Sequence, residues 1–234
     1  MSAPSTIVTG AGSGIGRATA VLLARTGHRL TLCGRSLHKL QDTHRLCLEA
    51  GGPEPIVAHG DLADSGVAHA AVDRAVADHG ALDNLVCCAG VAPKVPIADT
   101  DEQVLEDAVF HNAFAPAFMI VRAWPHFRQR KSGCAVLVGS LASIDPFDGF
   151  LAYGASKAAV DSYVRSMHRE GRSFGMRAFS IAPGAIETPL LRTIFPESVV
   201  PRHAALPPEA VATVILDCIE GRRDAERGKV IVVK

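Results

Sequence analysis

The sequence predicts a single doubly wound α/β domain over residues 1–234, built on a seven-stranded parallel sheet with helices on both faces. Three observations predict it. Short β-branched or apolar runs alternate with longer helical patterns from one end of the chain to the other, which is the signature of repeated βαβ units. The first of those runs leads directly into a glycine-rich turn. A chain of 234 residues also supports one sizeable core, with about 70% of its extended surface removed from water. No linker, repeat or shift in composition marks a second domain.

In chain order, a strand at 6–9 ends in Thr9-Gly10-Ala11-Gly12-Ser13-Gly14-Ile15-Gly16-Arg17, and the residues that follow read as a helix over 15–26. Strand 29–33 precedes helix 36–50, strand 55–59 precedes helix 64–79, and strand 84–88 precedes a long helical pattern over 101–130. That pattern contains Pro116 and is cut by Arg122, so its apolar part falls short of the roughly 20 residues a bilayer span needs. Strand 135–139, helix 151–173, strand 177–182, helix 207–220 and strand 229–233 complete the order. The irregular insert 186–208 is proline-rich and carries Leu190, Leu191, Ile194 and Phe195. It reads either as a mobile lid or as an ordinary surface connection.

Lys plus Arg equal Asp plus Glu at 24 each, so nothing steers the chain toward nucleic acid or anionic lipid. With 48% hydrophobic and 21% charged residues, a disordered or fibrous protein is excluded. The start MSAPSTIVTG lacks a basic region followed by a long apolar one, and a soluble, cytoplasmic protein is expected. The six cysteines (Cys33, Cys47, Cys87, Cys88, Cys134, Cys218) form no C-x-x-C pair and lie mostly in apolar runs, where a reduced thiol acts as a small hydrophobe. Adjacent Cys87 and Cys88 point to opposite faces of a strand, and the ten histidines are scattered, so no metal is expected.

The glycine-rich turn lets the backbone approach a pyrophosphate at a helix N-terminus. The second strand ends in Cys33-Gly34-Arg35-Ser36 with no acid to hold a ribose 2′-hydroxyl. Arg35 therefore favours the 2′-phosphate of NADP, the alternative being a solvated residue at a helix start. Asp61 is placed to accept from the adenine amino group, or else is a loop carboxylate. Further on, a strand ends at Ser140, thirteen residues before Tyr153, and Tyr153 and Lys157 share one helical face at a spacing of four.

On these residues the chain resembles the short-chain dehydrogenase/reductase family over nearly its whole length. The match rests on TGAGSGIG at 9–16, Asp61, Ala89-Gly90, Asn112, Ser140, YGASK at 153–157, and Pro183-Gly184 followed by Thr188. The resemblance implies a Rossmann-type fold and a catalytic set of Asn112, Ser140, Tyr153 and Lys157. It also implies a nicotinamide cofactor, NADP with NAD as the alternative, held by Gly10, Ser13, Gly14, Ile15, Gly16, Arg35, Asp61, Leu62, Ala89, Gly90, Tyr153, Lys157, Pro183 and Gly184, with Ile186 and Thr188 on the nicotinamide amide. Cys87-Cys88 replaces the family's usual Asn-Asn and is expected to loosen the bracing of the central strands. The terminal RGKVIVVK lacks the family's glycine-rich extension, which is expected to alter subunit packing.

A phenol with its pKa near 10 is about three units too high to act as a base at neutral pH. That gap is roughly 4 kcal/mol, the order supplied by one ammonium about 4 Å away at an effective dielectric of 20. Lys157 is the expected ammonium, helped by the charge on an oxidised nicotinamide. Ser140 is expected to bond the reacting oxygen, and Asn112 to anchor a water that relays protons. A mostly apolar substrate wall of Ala142, Phe147, Phe150, Ala185, Leu190 and Leu191 suits a small or medium carbonyl or alcohol. Lys94 offers an anchor for an anionic substrate or is simply solvated. The competing function is a non-catalytic NADP(H)-binding sensor or scaffold on the same fold. A homodimer is expected through helices 101–130 and 151–173, using residues such as Val109, Phe114, Phe118, Trp124, Val160 and Val164, with a homotetramer as the alternative.

Overall fold

The computed structural model describes residues 3–234. Its strands are β1 (Ser5–Thr9), β2 (Arg29–Gly34), β3 (Ile56–His59), β4 (Asn84–Cys87), β5 (Gly133–Val138), β6 (Met176–Pro183) and β7 (Val230–Val233). All pairs are parallel and the order is β3-β2-β1-β4-β5-β6-β7. The helices are α1 (Gly14–Arg25), α2 (Leu37–Glu49), α3 (Ser65–His79), α4 (Glu102–Val109), α5 (Ala115–Arg130), α6 (Leu151–Gly171), α7 (Pro189–Ile194) and α8 (Pro208–Ile219).

Alternation along the strands divides the core in two. Val8, Leu30, Leu32, Val86 and Val136 face the layer of α1, α2 and α8, whereas Ile7, Cys33, Leu85, Ala135 and Leu137 face α3, α5 and α6. The period of two in each strand is what sends neighbours to opposite layers. Phe127 of α5 is fully buried in the second layer, and its truncation to Ala should cost roughly 3–5 kcal/mol. The chain winds outward from β1 to β3 and then returns to place β4 on the other side of β1. The carboxyl ends of β1 and β4 therefore border the crevice where such sheets take ligands.

The long helical pattern breaks where its sequence requires it. Between α4 and α5 the chain makes a π-type turn over Phe110–Phe114, and Pro116 follows in the first turn of α5. Pro116 has no N–H, so the Asn112 carbonyl receives no bond from residue 116, and the ladder widens instead of continuing. By length and mean hydropathy alone the span Glu102–Arg130 is long and apolar enough to cross a bilayer (29 residues, hydropathy 1.3), longer than the sequence reading allowed. It lies within the domain, packed on α3 and α6.

The insert 186–208 is an ordered connection. Ile186 pairs with Leu206 as an isolated parallel bridge, and Thr188 Oγ1 caps α7 by accepting from the Leu191 N–H at 3.1 Å. Arg192 staples the rest: its guanidinium makes a two-point ion pair with Glu187 and donates to the carbonyls of Phe195 (3.3 Å) and Val200 (2.7 Å). Short α7 escaped the sequence reading because the prolines in and around it masked it.

Candidate active site

The turn after β1 forms a cradle that admits little beyond backbone. Gly10 has φ +63°, and a Cβ there would lie 2.8 Å from the Ala89 nitrogen at the end of β4. A Cβ on Gly90 would meet the Asn112 Oδ1 at 2.6 Å and the Lys157 ammonium at 3.3 Å. Ser13, the N-cap of α1, makes no side-chain capping bond, and no acid stands in the first turn. The first-turn amides of Gly14, Ile15 and Gly16 stand uncapped by any side chain at the positive end of a helix dipole, an arrangement suited to a pyrophosphate. Thr9 Oγ1 accepts from the Cys88 N–H (3.1 Å) and the Ala89 N–H (3.0 Å). This hydroxyl ties β1 to the end of β4, so the loosening expected from Cys87-Cys88 is met by a brace from the neighbouring strand. All six cysteines are free, and burial pushes the Cys88 thiol up to about 12.

Beyond the glycines the crevice opens into a cleft of about 260 Å³ lined by Gly12, Gly34, Arg35, Ser36, Lys39, Asp61, Leu62, Ala89, Gly90 and His111 among others. The Arg35 side chain, 57% exposed, stands 3.9 Å from Asp61 Oδ2. Asp61 also accepts from the Ala63 N–H at 3.0 Å. Burial works against its ionisation, but the Ala63 amide, His111 and Arg35 together hold its carboxyl below the ordinary range. His111 and Lys39 were not among the residues read from the sequence; no motif marks either one, and the π-type turn that aims His111 at Asp61 is a tertiary outcome.

A second cleft continues from the first. It is lined by Ile15, Cys88, Gly90, Ser140, Tyr153, Lys157, Pro183, Gly184, Ile186, Thr188, Leu190, Leu191 and Ile194 among others. Ser140 closes β5, and its Oγ accepts from the Ala142 N–H at 3.1 Å. Tyr153 and Lys157 come from successive turns of α6. Burial pushes the Tyr153 hydroxyl up, and the Ser140 hydroxyl beside it offsets part of this. The Lys157 ammonium is 5% exposed and donates to the Val138 carbonyl at 2.8 Å. Burial brings it down to about 8. The phenol is raised, not lowered as expected: desolvation outweighs the Ser140 hydroxyl, and the Lys157 ammonium is held on the β5 backbone.

The Asn112 side chain is engaged within the protein. Its side-chain amide accepts from the Val91 N–H (2.8 Å) and donates to the Val91 carbonyl (2.8 Å) and to Ser156 Oγ (2.9 Å). Both amide hydrogens are committed, so the side chain cannot donate to a relay water; the main-chain carbonyl, which Pro116 cannot reach with an N–H, is the group left for one.

The substrate wall is also revised. Leu190 and Leu191 line the cleft, but Ala142, Phe147, Phe150 and Ala185 do not. Phe150 is buried, packed edge-on to Tyr153 at 5.2 Å and to Phe195 at 6.2 Å. It serves as a support behind the phenol. Lys94 stands 4.6 Å over the Phe195 ring. Of the residues named for assembly, Val160 and Val164 are core at 2% and 1% exposure, and Trp124 packs edge-on to Phe174 at 5.3 Å.

Residues 5–198 match the short chain dehydrogenase family. This chain belongs to that family. An uncharacterized oxidoreductase of Listeria monocytogenes is 30% identical over 226 residues, covering 93% of this chain and 91% of the relative. A glucose 1-dehydrogenase of Gluconobacter oxydans is 33% identical over 187 residues, 79% of this chain and 70% of that one. Among solved structures, levodione reductase superposes with a TM-score of 0.92 at 25% identity over 99% of this chain and 96% of that chain. As a short-chain dehydrogenase the protein is an oxidoreductase of CH–OH and C=O groups that uses a nicotinamide cofactor.

Proposed function

We propose that this short-chain dehydrogenase interconverts a small or medium carbonyl compound and its alcohol with NADP(H), using Tyr153 as general acid and base. The observation that carries the reading is the convergence of Ser140, Tyr153 and Lys157 on one cleft continuous with the glycine cradle. The cradle fits a dinucleotide: Gly10, Ser13, Gly14, Ile15 and Gly16 would hold the pyrophosphate, Arg35 the 2′-phosphate, Asp61 and Leu62 the adenine end. Ala89, Gly90, Pro183, Gly184, Ile186 and Thr188 would flank the nicotinamide end. A bound nicotinamide supplies or accepts the hydride.

In the reducing direction Tyr153, kept protonated by burial, donates to the carbonyl oxygen while Ser140 bonds the same oxygen as charge develops. The phenolate left behind is stabilised by the Lys157 ammonium, and the Asn112 main-chain carbonyl orients the water that returns the proton. In the oxidising direction Tyr153 must first lose its proton, so that rate climbs with pH. The Lys157 ammonium, brought down to about 8, is lost above that point.

A turnover screen of ketones, aldehydes, sugars and steroids with both cofactors tests the reading; the absence of turnover with every class would leave the binding-only alternative. We further assign a homodimer, supported by Val121 of α5, 69% exposed beside Trp124, with Phe110 and Phe114 exposed on the same long helix. Light scattering separates it from a monomer or tetramer. Reduced, buried thiols suit a cytoplasmic enzyme.

A further inference from the structure

His111 lies outside every motif, yet its ring reaches the adenosine end of the crevice. Its Nδ1 is 2.8 Å from the main-chain carbonyl of Asp107, one turn back. A carbonyl only accepts, so Nδ1 carries the hydrogen, and a neutral ring turns a bare lone pair on Nε2 toward the cleft. That nitrogen stands 3.3 Å from the Arg35 guanidinium and 3.3 Å from Asp61 Oδ2.

The two neighbours make opposite demands. Arg35 needs an acceptor, which only the neutral ring provides; Asp61 needs a donor, which only the protonated ring provides. With Arg35 also paired to Asp61 at 3.9 Å, the neutral arrangement satisfies the guanidinium and leaves two acceptors, Nε2 and the carboxylate, facing each other. Lys39 lines the same cleft as the ring, and the His59 Nε2 lies 3.1 Å from the Arg35 carbonyl. The Asp107 carboxylate is taken by the Gln103 amide at 3.0 Å.

We infer that His111 is the proton-exchanging member of a triad with Arg35 and Asp61, and that binding of a 2′-phosphate draws a proton onto it. The inference rests on the NADP(H) reading of Arg35. A phosphate dianion engages the guanidinium and pulls it from Asp61. A protonated His111 then replaces the lost partner by donating from Nε2, and its charge also favours the incoming phosphate. NADH brings no such anion and leaves the Arg35–Asp61 pair in place. By linkage, a proton taken up on binding means an affinity that strengthens as pH falls. The comparison is made well above pH 6, because nearer pH 6 the phosphate itself protonates.

Isothermal titration of the intact protein at pH 7.5, in buffers of differing ionisation enthalpy, counts the protons directly. Wild type should take up roughly half a proton per NADPH and close to none per NADH. His111→Gln keeps a side chain able to bond either neighbour but unable to ionise; its uptake on NADPH should vanish. Over pH 8 to 7 the wild-type Kd for NADPH should tighten about threefold while the variant stays flat. Equal proton counts in wild type and variant, with NADPH still preferred, overturn the inference alone. Tighter binding of NADH than NADPH in the same titrations overturns the cofactor reading and the triad's role with it.

Discussion

The two ends of the crevice handle charge in opposite ways. At the adenosine end, Arg35 and Asp61 are about half exposed, and His111 links them from the side. Their interactions are adjustable, screened by salt, and open to replacement by an arriving anion. At the catalytic end, Lys157 is buried and Tyr153 half-buried beside Ser140 and Phe150, and loss of solvent dominates both. The first region is built for recognition by exchange of partners. The second is built to hold protons where the reaction needs them.

The contrast breaks most visibly at the phenol. Tyr153→Phe deletes the exchangeable proton while leaving the ring on Phe150, so turnover should fall by at least about 100-fold with cofactor affinity changed only a few-fold. Single-turnover rates set beside NADPH fluorescence titrations check this, and a near-normal rate would remove Tyr153 from the mechanism. Lys157→Ala should damage both quantities, since it empties a buried site on the Val138 carbonyl and takes away the charge opposite the phenolate. An unchanged NADPH affinity in that variant would confine the lysine to proton chemistry.

At the other end the effects should be smaller and carried by the cofactor alone. A Gly34→Asp, Arg35→Ser double variant should lose a charge-assisted bond of roughly 1.5–3 kcal/mol, about ten- to hundredfold in NADPH over NADH preference. Turnover at saturating cofactor should hardly move. The smallest effect sharpens the contrast without any mutation. Raising salt from low to physiological levels should weaken NADPH binding by a few-fold, whereas the pH dependence of catalysis, governed by buried groups, should stay where it was. A catalytic pH profile that moves with salt as far as the Kd does would erase the distinction.

How much of this was legible in the sequence follows the same division. Strand positions came within about two residues because alternation and the glycine turn are local signals, and Ser140, Tyr153 and Lys157 fall in one cleft because motif spacing carries them there. Apart from short α7, hidden by its proline, the misses are tertiary. Pro116 was visible, but that a π-type turn precedes it and aims His111 at Asp61 depends on what packs against that helix. The direction of the Tyr153 shift was misjudged for a related reason: pairwise charge can be estimated from spacing, whereas desolvation depends on Phe150 and the surrounding wall.

The Arg192 staple has a thermodynamic consequence. Because Glu187, Phe195 and Val200 are already gathered on one guanidinium, the segment between them arrives at the substrate in its final shape. Ordering a loose segment would cost about 1–2 kcal/mol per residue at the moment of binding. Here that entropy is lost during folding instead. Substrate binding should accordingly show a small heat-capacity change, set by the pocket surface alone, and Arg192→Met should enlarge it by making the wall fold around each ligand anew.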